Sequence, residues 1–188
     1  FSTTGTKSCF VNSYANLTIN KGTTTEGTFA SEGASCIQNS WGRVEINDGT
    51  ITSDADCTIK NRGGLRMNGG TVASTNPDAA VIDCNGDFGD TQINGGTIKG
   101  GKDGIRLADL GSSEVTLKNA AFEDNTQSNI HLGEGQTINI KKTFTDVPVE
   151  FLDEDTVLAE RGLMLLEDGT TTSIDLTLSG SRWNIARL

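Results

Sequence analysis

The sequence is poor in aromatic residues, proline and histidine, and it has no long apolar run. Aromatic residues make up 5% of 188 residues, proline occurs twice, and His131 is the only histidine. No apolar stretch approaches the roughly 18 residues of a membrane-spanning helix, and no signal-peptide pattern opens the chain. We therefore expect no membrane insertion. With one histidine and no C-x-x-C motif, the chain also lacks the ligand spacing of a zinc site.

Residues that favour helices are sparse, whereas Thr, Asn, Ile and Val are abundant and glycine occurs 23 times. This composition excludes an all-α protein and favours a β protein with many Gly and Asn turns. The chain has 15 basic and 25 acidic residues, a formal net charge of −10. Such a charge argues against nucleic acid or an anionic membrane surface as the main partner.

A short pattern recurs in which apolar residues alternate with polar ones and are followed by Asn and, two residues later, Gly. It occurs as LTINKGTT (17–24), VEINDGTI (44–51), LRMNGGTV (65–72) and TQINGGTI (91–98), with a degenerate copy at 115–122. A second apolar segment runs in step with it, as CFV (9–11), CIQ (36–38), CTI (57–59), IDC (82–84), IRL (105–107) and IHL (130–132). Two alternating segments in each repeat are typical of strands.

The repeats predict a parallel β-solenoid, in which each strand pairs with its equivalent in the next coil about 4.8 Å away. The inward residues should then form ladders, and the asparagines should stack where the strands turn. A β-sandwich is the alternative, but its strands do not normally repeat the same residues in register. The predicted core ladder is Ile19, Ile46, Met67, Ile93 and Leu117, and the predicted Asn column is Asn20, Asn47, Asn68 and Asn94.

We predict one domain, with coils over residues 1–144 and a less regular acidic segment plus a final coil over residues 145–188. Within this segment, residues 155–169 are compatible with a short helix, but three strands are the favoured interpretation. Both ends appear within a repeat, so we expect the chain to be an excerpt of a longer protein.

The segments INGGTIKGGKDGIRL (93–107) and MNGGTV (67–72) resemble the GGTI-type repeats of large surface proteins from anaerobic Gram-positive bacteria. SNIHLGEGQTINIKKTF (128–144) and the stretch that follows it resemble the segments that close such arrays. The resemblance implies an all-β, right-handed parallel β-helix of about seven coils. It also implies a monomeric, adhesin-like module, secreted or on the bacterial cell surface, whose partner is a host glycan or a host protein.

The four cysteines are predicted to lie in the core. Cys9, Cys36 and Cys57 are placed at one inward position in three successive coils, and Cys84 two residues along in the fourth. Buried thiols that pack as small hydrophobic groups are the favoured interpretation. A Cys9–Cys36 disulfide is the best alternative, because stacked coils place equivalent Cα atoms within bonding range.

Aromatic residues in turns are candidate ligand contacts. Tyr14 and Trp41 follow the cysteine-containing strands at equivalent places, and Phe88 lies in a corresponding turn two coils on. Their apolar faces could stack on sugar rings, or they could instead cover a corner of the tube. The more common of these two roles is the structural one.

Charged residues form the other candidate site. One outward column is predicted to contain Phe10, Ile37, Thr58, Asp83, Arg106 and His131. Asp83, Arg106 and His131 are candidate ligand contacts, although a solvated charge ladder is the simpler interpretation. Calcium is the one cofactor considered, because acidic turns supply oxygen ligands; no metal ligand and no catalytic residue is assigned.

These observations favour a non-catalytic binding or adhesion module. A β-helix polysaccharide lyase or glycosidase is the second hypothesis, but it needs paired carboxylates, or calcium with a basic residue. A structural spacer is the third.

Overall fold

A computed structural model describes the backbone of residues 2–3, 8–20, 28–31, 34–54, 57–85, 90–107, 114–132, 137–140, 149–153, 163–165, 171–173, 175–179 and 182–186. It describes the side chains of residues 8–20, 34–54, 57–85, 90–107 and 115–131. Every regular element in these ranges is a strand, and the strands are numbered β1 to β23 along the chain. Within the same ranges there is no helix that could cross a membrane.

Three parallel sheets form the body of the molecule. Sheet 1 contains β1 (Ser2–Thr3), β4 (Thr28–Ser31), β7 (Thr50–Ser53), β10 (Thr71–Ser74), β13 (Thr97–Lys99) and β16 (Ala121–Glu123). The parallel part of sheet 2 contains β2 (Phe10–Asn12), β5 (Ile37–Asn39), β8 (Cys57–Asn61), β11 (Ala80–Cys84), β14 (Asp103–Leu107), β17 (Ser128–Leu132) and β19 (Val149–Asp153). Sheet 3 contains β3 (Asn16–Ile19), β6 (Arg43–Ile46), β9 (Gly64–Met67), β12 (Asp90–Ile93), β15 (Glu114–Leu117) and β18 (Thr137–Ile140).

The chain visits sheets 2, 3 and 1 in turn, and each strand pairs in parallel with its equivalent in the next coil. The fold is therefore the predicted parallel β-solenoid. Strands β2 to β16 make five complete triplets, one strand from each sheet, with partial coils on either side. The expected number of about seven coils was slightly too high, because the described strands follow the order of sheets 2, 3 and 1 only as far as β18.

The predicted core ladder is confirmed. Strand register aligns Ile19, Ile46, Met67, Ile93 and Leu117 across sheet 3, and all five side chains are buried. Sheets 1 and 2 add further stacks of branched apolar residues to the same core. Burial of one such side chain contributes about 1.5–3 kcal/mol, so the stacked ladders are the main source of stability.

The predicted outer Asn column is also confirmed. The side-chain amide of each asparagine donates to the oxygen of the one before it, with N–O distances of 2.7, 2.7 and 2.9 Å between Asn20, Asn47, Asn68 and Asn94. Gly49, Gly70 and Gly96 follow at φ values of 104°, 81° and 98°. Only glycine adopts such values without strain, so the glycine column has the conformational role that the repeat predicts.

The C-terminal segment changes to antiparallel pairing. It contains β20 (Leu163–Leu165), β21 (Thr171–Ser173), β22 (Asp175–Ser179) and β23 (Arg182–Ala186). Strand β23 lies antiparallel to both β19 and β22 in sheet 2. Strands at β19 and β20 agree with the favoured interpretation of this segment; the third predicted strand, over residues 156–159, lies outside the described residues.

Candidate functional site

The outward column of sheet 2 begins one residue later than predicted. Register aligns the outward residues as Val11, Gln38, Lys60, Asp83, Arg106 and His131. The prediction was therefore wrong for Phe10, Ile37 and Thr58, and right for the last three members. Ile37 pairs with Ile59 and both are buried. A slip of one residue between β5 and β8 would expose Ile59 to solvent, so the burial of Ile59 sets the register of these strands.

The same shift separates the cysteines. Phe10 pairs with Ile37, which places Cys9 beside Cys36. Cys57 instead pairs with Ala80, and its sulfur lies 3.2 Å from the Ser35 hydroxyl of the preceding coil. The prediction of one shared position was wrong for Cys57 and for the offset of Cys84, which pairs with Asn61. All four cysteines are reduced; Cys9 is half-buried and the other three are buried.

An exposed apolar surface lies on the first two complete coils. It is formed by Val11, Tyr14 and Trp41, which are 69%, 80% and 53% exposed. These are the exposed large hydrophobic side chains of the described part of the chain, and we call them the aromatic patch. The rings of Tyr14 and Trp41 stack with centroids 6.3 Å apart and an angle of 8° between their planes. Phe88, the third predicted aromatic contact, lies outside the described residues.

A buried Asn ladder, which the sequence analysis missed, supports the turns that carry these rings. The Asn12 amide donates to Asn39 Oδ1 at 2.9 Å, and the Asn39 amide donates to Asn61 Oδ1 at 2.7 Å. The same amides bind the turn carbonyls of Ala15 and Gly42, at 2.9 and 3.0 Å. The repeated NSYA (12–15) and NSWG (39–42) were the signal for this ladder.

Close packing of these turns requires glycine beside Trp41. A Cβ atom on Gly42 would lie 2.1 Å from the Ala15 carbonyl oxygen and 2.4 Å from the Asn12 amide nitrogen. The turn backbones of the two coils therefore lie almost in contact. The next coil has a shorter turn, since Arg43 pairs with Gly64, and it carries Arg62 and Gly63 without an aromatic residue. Turn length thus ends the aromatic column after two coils.

Tyr14 has an unusual backbone conformation. Its φ is 64°, in the left-handed region that a non-glycine residue adopts at an energetic disadvantage. The tyrosine ring is nevertheless almost wholly in solvent, so burial of the ring does not compensate for this strain. Strained backbone conformations cluster at functional sites, so this strain is consistent with a functional role for Tyr14.

The charged part of the outward column is partly internal. Arg106 Nε lies 3.0 Å from Asp83 Oδ1, and Asp83 is buried while Arg106 is exposed. This hydrogen bond raises the pKa of the Arg106 guanidinium. The predicted neighbours Asp83 and Arg106 are thus brought together as an ion pair.

His131 contacts a different carboxylate, the buried side chain of Asp103. Its Nδ1 lies 3.2 Å from Asp103 Oδ2, while the Ser128 hydroxyl donates to Asp103 Oδ1 at 2.6 Å. Burial by itself raises the pKa of Asp103, but the hydrogen bonds with His131 and Ser128 outweigh it and lower that pKa below its usual range. All three side chains are buried, so we interpret this cluster as structural.

We expect Asp103→Asn to lower the free energy of unfolding at neutral pH by about 1–2 kcal/mol, because it weakens two hydrogen bonds to a buried group. The folded pKa of Asp103 lies below the unfolded one, so its contribution is present above the unfolded pKa of about 3.9 and is lost as pH falls through the folded pKa. The difference between variant and parent should therefore shrink below about pH 4. Urea unfolding of both chains at a series of pH values measures this difference in unfolding free energy.

Asp90→Asn is the control for this experiment, because Asp90 is exposed and bonds only locally, with Gln92 Nε2 at 2.7 Å. Its unfolding curves should follow those of the parent chain. If Asp103→Asn lowered the free energy of unfolding by the same amount at every pH, Asp103 would not be the ionised hydrogen-bond acceptor described above.

In the described part of the chain, no three His, Cys, Asp or Glu side chains lie together in an arrangement that could hold a metal ion. The arrangement offers instead an exposed pair of parallel rings on a rigid face and two carboxylates held by internal partners. No protein-family model, curated protein or solved structure matches the chain. The function is therefore inferred from these contacts and from the sequence motifs.

Proposed function

We propose that the chain is a non-catalytic binding module of a bacterial surface or secreted protein, and that the aromatic patch binds a neutral glycan. The observation that carries this proposal is the exposed, stacked pair of Tyr14 and Trp41. The resemblance to GGTI-type surface proteins supports the cellular location.

The geometry of the rings suits a sugar chain. Tyr14 and Trp41 belong to successive coils, so a ligand that runs along the solenoid axis passes both rings. The two planes differ by 8°, and the ring surfaces that their mutual stacking leaves exposed can contact the apolar C–H faces of sugar rings. The buried Asn ladder holds the turns before the ligand arrives, which reduces the entropy lost on binding.

Charge favours a neutral ligand over an anionic one. The chain carries a net charge of −10, which repels sulfated or uronate-rich polymers. Val11 extends the apolar surface on the same coil as Tyr14 and adds no charge. We therefore propose neutral glycans as the ligand class of the patch.

The contacts of the charged residues favour binding over hydrolysis. Asp83 is held by Arg106, and Asp103 is held by Ser128 and His131. Glycoside hydrolysis needs one carboxylic acid and one carboxylate directed at the scissile bond. The aromatic patch supplies neither group.

A glycan array with neutral and anionic polysaccharides, combined with a reducing-end release assay, tests the proposal. We expect binding to neutral glycans with no release of reducing ends. Release would support the lyase or glycosidase hypothesis instead. Absence of both activities would overturn the proposal and leave the spacer hypothesis.

A further inference from the structure

Cys9 and Cys36 directly precede β2 and β5 and lie side by side in neighbouring coils. The backbone N–H of Phe10 donates to the Cys36 carbonyl at 3.0 Å, which sets the register of the two coils. Because Phe10 pairs with Ile37, the two residues that precede them, Cys9 and Cys36, are neighbours across the two coils. In-register residues of neighbouring strands have Cα atoms about 4.8 Å apart, inside the range that disulfides span.

We propose that Cys9 and Cys36 form an oxidation site, at which a small-molecule disulfide converts the two thiols into a bond that ties β2 to β5. The proposal is independent of glycan binding. It concerns this pair alone, because the register gives each of the other two cysteines a different neighbour.

Cys57 and Cys84 remain reduced on this proposal. Cys57 contacts the Ser35 hydroxyl at 3.2 Å, and Cys84 contacts the Thr91 hydroxyl at 3.3 Å. Both are buried, so an oxidant in solvent does not reach their sulfur atoms. Burial also raises the pKa of the Cys84 thiol to about 12, which keeps it protonated and unreactive.

The reaction begins at Cys9, the half-buried member of the pair. Its thiolate attacks one sulfur of oxidised glutathione, and the first glutathione leaves as a thiolate that takes up a proton. Cys36 then loses its proton, and its sulfur attacks the Cys9 sulfur and releases the second glutathione. Two protein thiols are oxidised while one glutathione disulfide is reduced to two thiols. Burial and contact with Cys9 raise the pKa of Cys36, so the second step should accelerate with rising pH.

The bond requires a small approach of the two coils at this point. Disulfide Cβ atoms lie about 3.8 Å apart, closer than the roughly 4.8 Å spacing of strands. Cys9 precedes Tyr14 by five residues, and Cys36 precedes Trp41 by five. The bond would therefore join the two coils that carry the aromatic patch.

Peptide mapping tests the proposal, because trypsin cleavage after Lys7, Lys21, Arg43, Lys60 and Arg66 leaves each cysteine in a different peptide. The chain is incubated with oxidised glutathione at mildly alkaline pH, denatured, alkylated and digested without reductant. We expect one linked pair, Cys9 with Cys36, and alkylated Cys57 and Cys84. The melting temperature should rise by roughly 5–10 °C, because the crosslink restricts the unfolded chain, and the reductant dithiothreitol should reverse the rise.

Cys9→Ser should abolish both the linked peptide and the redox-dependent rise. Cys57→Ser is the matched control and should retain both. The proposal is overturned by a stable glutathione adduct on Cys9, by a link from Cys36 to Cys57, by four alkylated cysteines, or by a link that leaves the melting temperature unchanged. None of these results depends on a glycan, so a failure here is distinct from a failure of the proposed function.

Discussion

Replacing Asn39 with Ala is expected to lower the free energy of unfolding by about 3 kcal/mol, a large effect for one polar residue. The Asn39 amide donates to Gly42 O at 3.0 Å, Gly64 O at 3.1 Å and Asn61 Oδ1 at 2.7 Å, and its oxygen accepts from Asn12. Truncation leaves these groups buried without that partner, where water cannot easily replace it. The urea midpoint measures the loss.

Asn68→Ala is the matched control. Asn68 belongs to the outer ladder and donates to Asn47 Oδ1 at the same distance of 2.7 Å, but it is exposed. Water can satisfy the groups that the truncation leaves, so we expect a loss below about 1 kcal/mol. Equal losses at the two positions would show that burial is not the reason for the importance of the inner ladder.

Trp41→Ala is expected to weaken neutral-glycan binding at least about tenfold, because aromatic residues in such surfaces carry most of the binding energy. Tyr14→Ala should have a similar effect, since the two rings form one surface. Tyr14 is 80% exposed, so its truncation should cost no more than about 1.5 kcal/mol, the upper value for a stacked pair. Trp41 is 53% exposed, so its truncation should cost no more than about 3 kcal/mol, because part of the indole is buried. Calorimetric titration with the best glycan of the array, combined with thermal unfolding, measures both quantities.

Tyr14→Phe separates ring stacking from hydrogen bonding by the phenol. It keeps the ring and removes the hydroxyl, so its affinity should stay within about twofold of the parent if stacking dominates. A large loss of stability in Trp41→Ala, with unchanged affinity, would instead show that the rings only cover a corner of the tube.

Several features were predictable because the repeat encodes them locally. The alternation in LTIN, VEIN, LRMN and TQIN aligns the core ladder, and the Asn and Gly that follow define the outer turn. The equivalence of Tyr14 and Trp41 also followed from the repeats, because these residues are 27 positions apart, as are Cys9 and Cys36. Their exposure did not follow, since a role in covering a corner of the tube was the favoured interpretation. Because both pairs have the same spacing, an offset of 27 residues between the first two coils aligns Cys9 with Cys36 and Tyr14 with Trp41.

Other features depend on how coils of unequal length are laid over one another. Cys36 and Cys57 occupy equivalent positions in the sequence pattern. The shorter turn of the third coil and the burial of Ile59 nevertheless place Cys57 beside Ser35. The partners of His131 depend equally on three-dimensional proximity, since Asp103 lies one coil earlier and 28 residues away.

The amino-acid sequence alone thus determined the solenoid, its core ladders and its turn residues, because stacking of identical repeats satisfies the same local pattern in every coil. Only the tertiary structure decided other contacts between coils, namely the buried Asn ladder, the contact of Cys57 with Ser35 and the Asp103 cluster. A slip of one residue between neighbouring strands reverses every side chain in them, and it is the packing of the whole core that excludes the slip.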